Sequence, residues 1–126
     1  MKTENYKQEL LSTWEDTYKK GQLTLWIFLA LKDGPKYVSE IRDFISEFSD
    51  NSISCEEQSL YRALRKFSHL EIVGSEPGKG NKGPDRKYYS LTKLGEDLLY
   101  EFTERNIRLF FNPKLIDLMK LNTTKS

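Results

Sequence analysis

The stretch "GPDRKYYSLT", Gly83 to Thr92, follows a loop reading "EPGKGNK" and runs straight into an amphipathic helical pattern. Upstream of the loop, "EIVGSE" (Glu71 to Glu76) has β character, and so does "RKYYSL" (Arg86 to Leu91). Two such segments separated by Gly and Pro residues read as a two-stranded hairpin. Side chains alternate across a strand, so Tyr89 and Leu91 share one face while Tyr88 and Ser90 share the other. One tyrosine is thereby expected to enter the core and the other to pack on the hairpin's own surface. Lys79 and Lys82 fall in the loop, Arg86 and Lys87 open the return strand, and Thr92 is placed to cap the next helix.

Working outward from the hairpin, "SCEE" (Ser54 to Glu57) fits a capping box, with the Ser54 hydroxyl accepting from the Glu57 amide. The helix it would start, Glu56 to His69, turns Leu60, Ala63, Leu64 and Phe67 inward. Gln58, Tyr61, Arg62, Arg65 and His69 fall on the opposite side. Before it, Gln22 to Lys32 is apolar nearly all round, as in a buried helix, and "KDGP" ends it. Val38 to Phe48 spaces Ile41, Phe44, Ile45 and Phe48 on one face. An amphipathic first helix, Glu4 to Lys20, carries Tyr6, Leu10, Leu11, Trp14 and Tyr18, and Gly21 supplies its stop. Beyond Thr92, a long helix spreads Leu94, Leu98, Leu99, Phe102, Leu109 and Phe110 over about 160°, wider than one small core needs. That width suggests a second packing partner. Asn112-Pro113 has the form of an N-cap followed by proline at the first helical position, and the tail "NTTKS" reads as disordered.

Hydrophobic residues make up 37% of the 126 and aromatics 13%, too much large apolar surface for a disordered chain and enough for one domain. The longest apolar run, Leu23 to Leu31, is too short to span a bilayer, and the N-terminus has no signal-peptide pattern. A cytoplasmic protein without membrane attachment is expected. One cysteine excludes an internal disulfide, and one Cys with one His cannot build a four-ligand zinc site, so neither metal nor cofactor is expected. No nucleophile, base and orienting group stand together as an enzyme would need. Net charge is only +1, yet Gln58 to Leu91 holds seven Lys/Arg against three acids. Such local asymmetry can mark a polyanion-binding face, or ordinary solvated charge.

Three helices, a hairpin and a further helix describe a winged helix-turn-helix, mainly α with a small β-hairpin. "SLYRALRKFSHLEIVGSE", the Gly/Pro wing and "GPDRKYYSLTKLGEDLL" closely resemble the PadR-like transcriptional regulators, and "LKDGP" fits the same pattern. The resemblance covers roughly Leu23 to Leu99. It implies a sequence-specific DNA-binding regulator, a homodimeric repressor on a palindromic operator in double-stranded DNA, answering to a small molecule or stress signal. Residues 1–21 would be the N-terminal dimer helix, 22–91 the DNA-binding domain, 92–121 the C-terminal dimerisation helix with a short terminal one, and 122–126 the tail. The alternative is a winged-helix protein-interaction adaptor that does not bind DNA.

Carried over residue by residue, the resemblance implies DNA contacts from Gln58, Ser59, Tyr61, Arg62, Arg65 and Lys66 on the recognition helix. Lys79, Lys82, Arg86 and Lys87 would serve the wing. Arg62 and Arg65 can make bidentate contacts to phosphate or guanine and Gln58 can read adenine, whereas wing lysines give affinity without sequence information. The implied dimer interface takes Tyr6, Leu10, Trp14, Leu94, Leu98, Phe102, Leu109 and Phe110. Glu56 and Glu57 depart from the family's small or proline residues; they can cap the helix or accept from cytosine N4. Some relatives sandwich planar aromatic compounds between tryptophans, where this chain has Asn106. Trp14, Tyr18, Phe102 and Asn106 are thus candidates for a small aromatic or hydrophobic effector's pocket, or simply for interface core. Cys55, expected in the first turn of its helix, reads as an inert thiol, with redox sensing as the other possibility.

Overall fold

Gly21 adopts φ 82°, a left-handed conformation that only glycine takes without strain, and it separates α1 (Lys2–Lys19) from α2 (Gln22–Lys32). A computed structural model describes residues 2–78 and 86–121. After α2 come α3 (Val38–Phe48), α4 (Glu57–His69), strands β1 (Val73–Gly78) and β2 (Arg86–Leu91), α5 (Lys93–Asn106) and α6 (Pro113–Met119). A single 3-10 turn, Arg108–Phe111, links the last two helices. The chain is mostly helical with one antiparallel hairpin, in the order of a winged helix-turn-helix.

The core forms where the inward faces of α2, α3 and α4 meet. Ile27, Ile41, Ile45, Leu60 and Leu64 are fully buried, and Phe28 meets Phe67 edge-on at 5.2 Å between centroids. The hairpin closes this core with Val73 and Tyr89, and α5 with Leu99. Strand pairing runs from Val73 opposite Leu91 to Gly78 opposite Arg86. Tyr89 is buried and Tyr88 half-buried on the other face, so the tyrosine pair divides as strand alternation requires.

The exit from α4 and the entry to α5 are tied together. Glu71 takes φ 63°, its amide bonds the Ser68 carbonyl at 3.0 Å, and the Ile72 amide bonds that of Phe67 at 2.9 Å. This is the Schellman arrangement, built on a glutamate where glycine is usual. Because Glu71 is used in this turn, β1 starts at Val73 rather than at Glu71. Thr92 caps α5 as expected, its Oγ1 accepting from the Gly95 amide at 3.2 Å while the hydroxyl donates toward the Glu71 carbonyl at 2.7 Å. Gly95 is buried against this junction, where a Cβ would collide with the Ile72 carbonyl oxygen.

Four expectations need correction. Helix α4 begins at Glu57 with Glu56 at the N-cap and no side-chain cap bond, so Ser54 and Glu57 form no capping box. The Glu57 carboxylate is held instead by Arg42 of α3, whose Nη1 donates to it at 2.9 Å. Cys55 consequently precedes the helix instead of lying in its first turn. Phe48 ends α3 facing outward, stacked on half-buried Phe44 at 4.5 Å between centroids. Lastly, Leu109 and Phe110 do not continue the face of α5. That helix stops at Asn106, whose side chain donates back to the Phe102 carbonyl at 3.1 Å. The chain then tightens into the 3-10 turn, because Pro113 keeps Asn112 extended and bars an unbroken helix. Asn112 caps α6, accepting from the Lys114 amide at 2.8 Å.

Candidate nucleic-acid interface

Burial of Leu60, Leu64 and Phe67 turns the opposite side of α4 to solvent. Gln58, Tyr61, Arg62, Arg65 and Lys66 are all exposed there, while Ser59 is half-buried at the edge facing α1. Ser59 lines a hollow of mixed character with Lys19, Leu23, Ser52 and Cys55. Elsewhere the cations are largely engaged: Lys32 pairs with Glu96, Lys36 with Asp33, Arg42 with Glu57 and Arg108 with Glu104. Among the described residues no carboxylate pairs with Arg62, Arg65, Lys66 or Lys87. Unneutralised guanidinium and ammonium groups on one exposed face can take phosphate oxygens without first breaking an ion pair.

The hairpin lies beside this face. A notch of about 310 Å³ opens between the start of α3, α4 and β2, lined by Tyr37, Ser39, Glu57, Tyr61, Arg86 and Lys87, among others. Tyr89 faces inward beneath it. Burial pushes its phenol above the ordinary range; the Tyr61 phenol adds to the rise and Arg65 opposes it. Lys87 is exposed, but Arg86 is half-buried with its guanidinium carbon 4.2 Å from the Tyr37 ring centroid. Lys79 and Lys82 lie outside the described residues. Sequence reasoning missed Tyr37 and Arg42 altogether. Neither has a signal in periodicity, since each acts on an element distant in the chain.

At the start of α4, the Arg42–Glu57 pair ties up the carboxylate nearest the notch, leaving exposed Glu56 as the acidic departure that faces solvent. Cys55 is half-buried; burial pushes its thiol up and nearby Arg42 partly offsets this, so the thiolate is disfavoured.

The flanking helices present the opposite chemistry. Tyr6, Leu10, Trp14, Leu94, Leu98, Phe102, Leu109 and Phe110 are all exposed, Trp14 by 71%. Leu11, Trp14, Tyr18, Phe110 and Met119 help line an apolar groove of about 650 Å³ between α1 and the C-terminal segment. Phe102 and Asn106 line a separate cleft of about 460 Å³, with Phe28, Phe67 and Leu98. Within one chain, the four effector-pocket candidates thus fall into two hollows. Among the described residues no group of acidic, His and Cys side chains is placed to hold a metal, and no helix is long and apolar enough to cross a membrane.

A winged helix-turn-helix with a basic outward face on its third core helix fits a class of transcription regulators. Residues 27–101 match the model of the transcriptional regulator PadR-like family, and the chain belongs to that family. A PadR-like transcription factor from Bacteroides fragilis is 28% identical, with a TM-score of 0.62 over 82% of this chain and 98% of that one. A PadR family regulator from Clostridium difficile R20291 is 25% identical, with a TM-score of 0.60 over 79% and 98%. Bacillus subtilis PadR, solved in complex with operator DNA, shares the fold at 20% identity and a TM-score of 0.59, over 65% of this chain and 45% of that one. A Lysinibacillus sphaericus protein of uncharacterized function is 29% identical over 85 residues, 68% of this chain and 78% of that one. The family and these structural neighbours are regulators, not enzymes.

Proposed function

We propose that this PadR-like regulator is a homodimeric repressor that binds a palindromic operator, with α4 in the major groove and the wing along the backbone. The observation that carries the reading is the exposed set Gln58, Tyr61, Arg62 and Arg65 beside the hairpin, whose two arginines pair with no carboxylate among the described residues. The fold-level neighbour from Bacillus subtilis, whose structure contains operator DNA, supports it. The apolar rows on α1 and α5 would join two copies, and a two-fold dimer presents its recognition helices to half-sites about 34–36 Å apart, or a multiple. Residues 1–21 and 92–121 then serve dimerisation and 22–91 serves DNA. A small aromatic or hydrophobic effector would enter where the hollows at Trp14 and Tyr18, and at Phe102 and Asn106, meet the interface.

The test is a fluorescence-anisotropy titration on DNA from the gene's own upstream region, repeated across salt concentrations. Saturable, sequence-selective binding with a steep salt slope is expected, and Arg65→Ala should weaken it by about 1–3 kcal/mol. Binding that shows no sequence preference at moderate salt would instead favour the protein-interaction adaptor, the reading to which exposed Glu56 points.

A further inference from the structure

Two short strands alone are marginal in water, so the hairpin's direction depends on what holds each of its faces. Its inner face is held by Val73 and Tyr89, and the edge of β2 away from β1 by a backbone bridge to the segment before α3. The Tyr89 amide donates to the Lys36 carbonyl at 2.8 Å, and the Lys36 amide donates to the Tyr89 carbonyl at 3.0 Å. Lys36 is itself anchored: its ammonium donates to the Ala30 carbonyl at 2.7 Å and to Asp33 at 2.8 Å. The outer face is met by a side chain from the start of α3. Tyr37, at the N-cap of α3, meets Tyr88 edge-on, with centroids 5.4 Å apart and rings at 89°, and carries Arg86 at 4.2 Å from its own centroid. Gly78 on the paired strand leaves the room that Tyr88 occupies; a Cβ there would run into its ring.

Arg86 is the first residue of β2, where the chain returns from residues 79–85. A guanidinium on an aromatic face is attracted by the ring quadrupole, and this one is half-buried. The stack therefore joins the loop end of the paired strands, at Gly78 and Arg86, to the start of α3. Helix α3 is joined in turn to the start of α4 through Arg42 and Glu57.

We infer that Tyr37 is a positioning residue for DNA binding: by holding Arg86 and Tyr88 it fixes the wing relative to the recognition helix, so that both reach the duplex together. The role rests on the DNA-binding reading proposed above. Arg86 on this account acts through Tyr37 and is not simply one more phosphate contact.

Three variants, each first checked for cooperative melting, separate the roles. Tyr37→Phe keeps the ring that Arg86 and Tyr88 need, and its affinity should stay within about threefold of wild type. Tyr37→Leu removes the ring; affinity should fall about tenfold or more and the salt slope by more than one unit, because several wing contacts go together. Arg86→Gln should likewise lower the slope by more than the roughly one unit that loss of a single phosphate contact gives. This variant tests the role even if Tyr37→Leu does not fold. In the free protein, the Arg86 Hε resonance should be shifted upfield by the Tyr37 ring in wild type and Tyr37→Phe, but not in Tyr37→Leu. An Arg86 resonance without ring shift in wild type overturns the stack. The positioning role is overturned by wild-type affinity and slope in Tyr37→Leu, by a loss as deep in Tyr37→Phe as in Tyr37→Leu, or by a drop of only one unit in Arg86→Gln. Failure of the wild-type protein to bind any DNA selectively sinks the DNA-binding reading and this role with it, while the ring shift still reports whether the stack exists.

Discussion

Helices α2 to α4 and the flanking segments α1 and 107–121 carry comparable numbers of large apolar side chains and use them in opposite ways. In the first region Ile27, Ile41, Ile45, Leu60 and Leu64 are sealed from water; in the second Trp14, Tyr18, Phe111 and Leu118 are each more than 60% exposed. Along α1 every described residue from Thr3 to Tyr18 is exposed. A helix of this length in water draws little stability from propensity alone and needs its apolar face covered. The difference teaches that one region completes its packing within the chain, while the other leaves an apolar face uncovered, as the proposed dimer requires.

The largest expected effect lies in the first region. Leu64→Ala should destabilise the chain by about 2–5 kcal/mol in chemical denaturation, through lost transfer energy and the cavity left behind. Trp14→Ala should change the stability of the dilute monomer far less, and equal losses would erase the contrast. Next comes α5, which leads into the second region: in the proposed dimer, Phe102→Asp should leave a monomer in sedimentation velocity, because an unpaired carboxylate in an apolar interface costs several kcal/mol. A dimer that persists would move the interface off α5. At the joint between the regions, Thr92→Ala should cost about 1–2 kcal/mol, since it removes the cap of α5 and the donor to the Glu71 carbonyl. The smallest effect is a gain. Glu71→Gly should raise stability by up to about 1 kcal/mol by relieving the left-handed φ at that turn. A loss at that position would mean that the glutamate side chain has a role in the native state.

Helix limits were legible where periodicity and turn residues agree. Gln22–Lys32 and Val38–Phe48 match the expected spans, with Gly21 and "KDGP" as their punctuation. The solvent-facing side of α4 was legible for the same reason, because burying Leu60 and Leu64 leaves only one way for Arg62 and Arg65 to point. The start of α4 was not, since a local capping pattern competes with Arg42, fifteen residues away, for the same carboxylate. The break after Asn106 was missed because the apolar spacing continues through it, and the Asn106 side chain and Pro113 outweigh that spacing. The mixed fate of Arg86 was hidden too: its charge is visible in the chain, but the ring beneath it comes from Tyr37.

Local chemistry is enough to specify the helices, the hairpin, the cap at Thr92 and the side of α4 that faces out, since each depends on neighbours within a few residues. Folding alone brings Tyr37 under Arg86, Arg42 to Glu57 and the Lys36 backbone to Tyr89, because these contacts join groups 49, 15 and 53 positions apart. Periodicity says which way a side chain points, and only packing says what it meets.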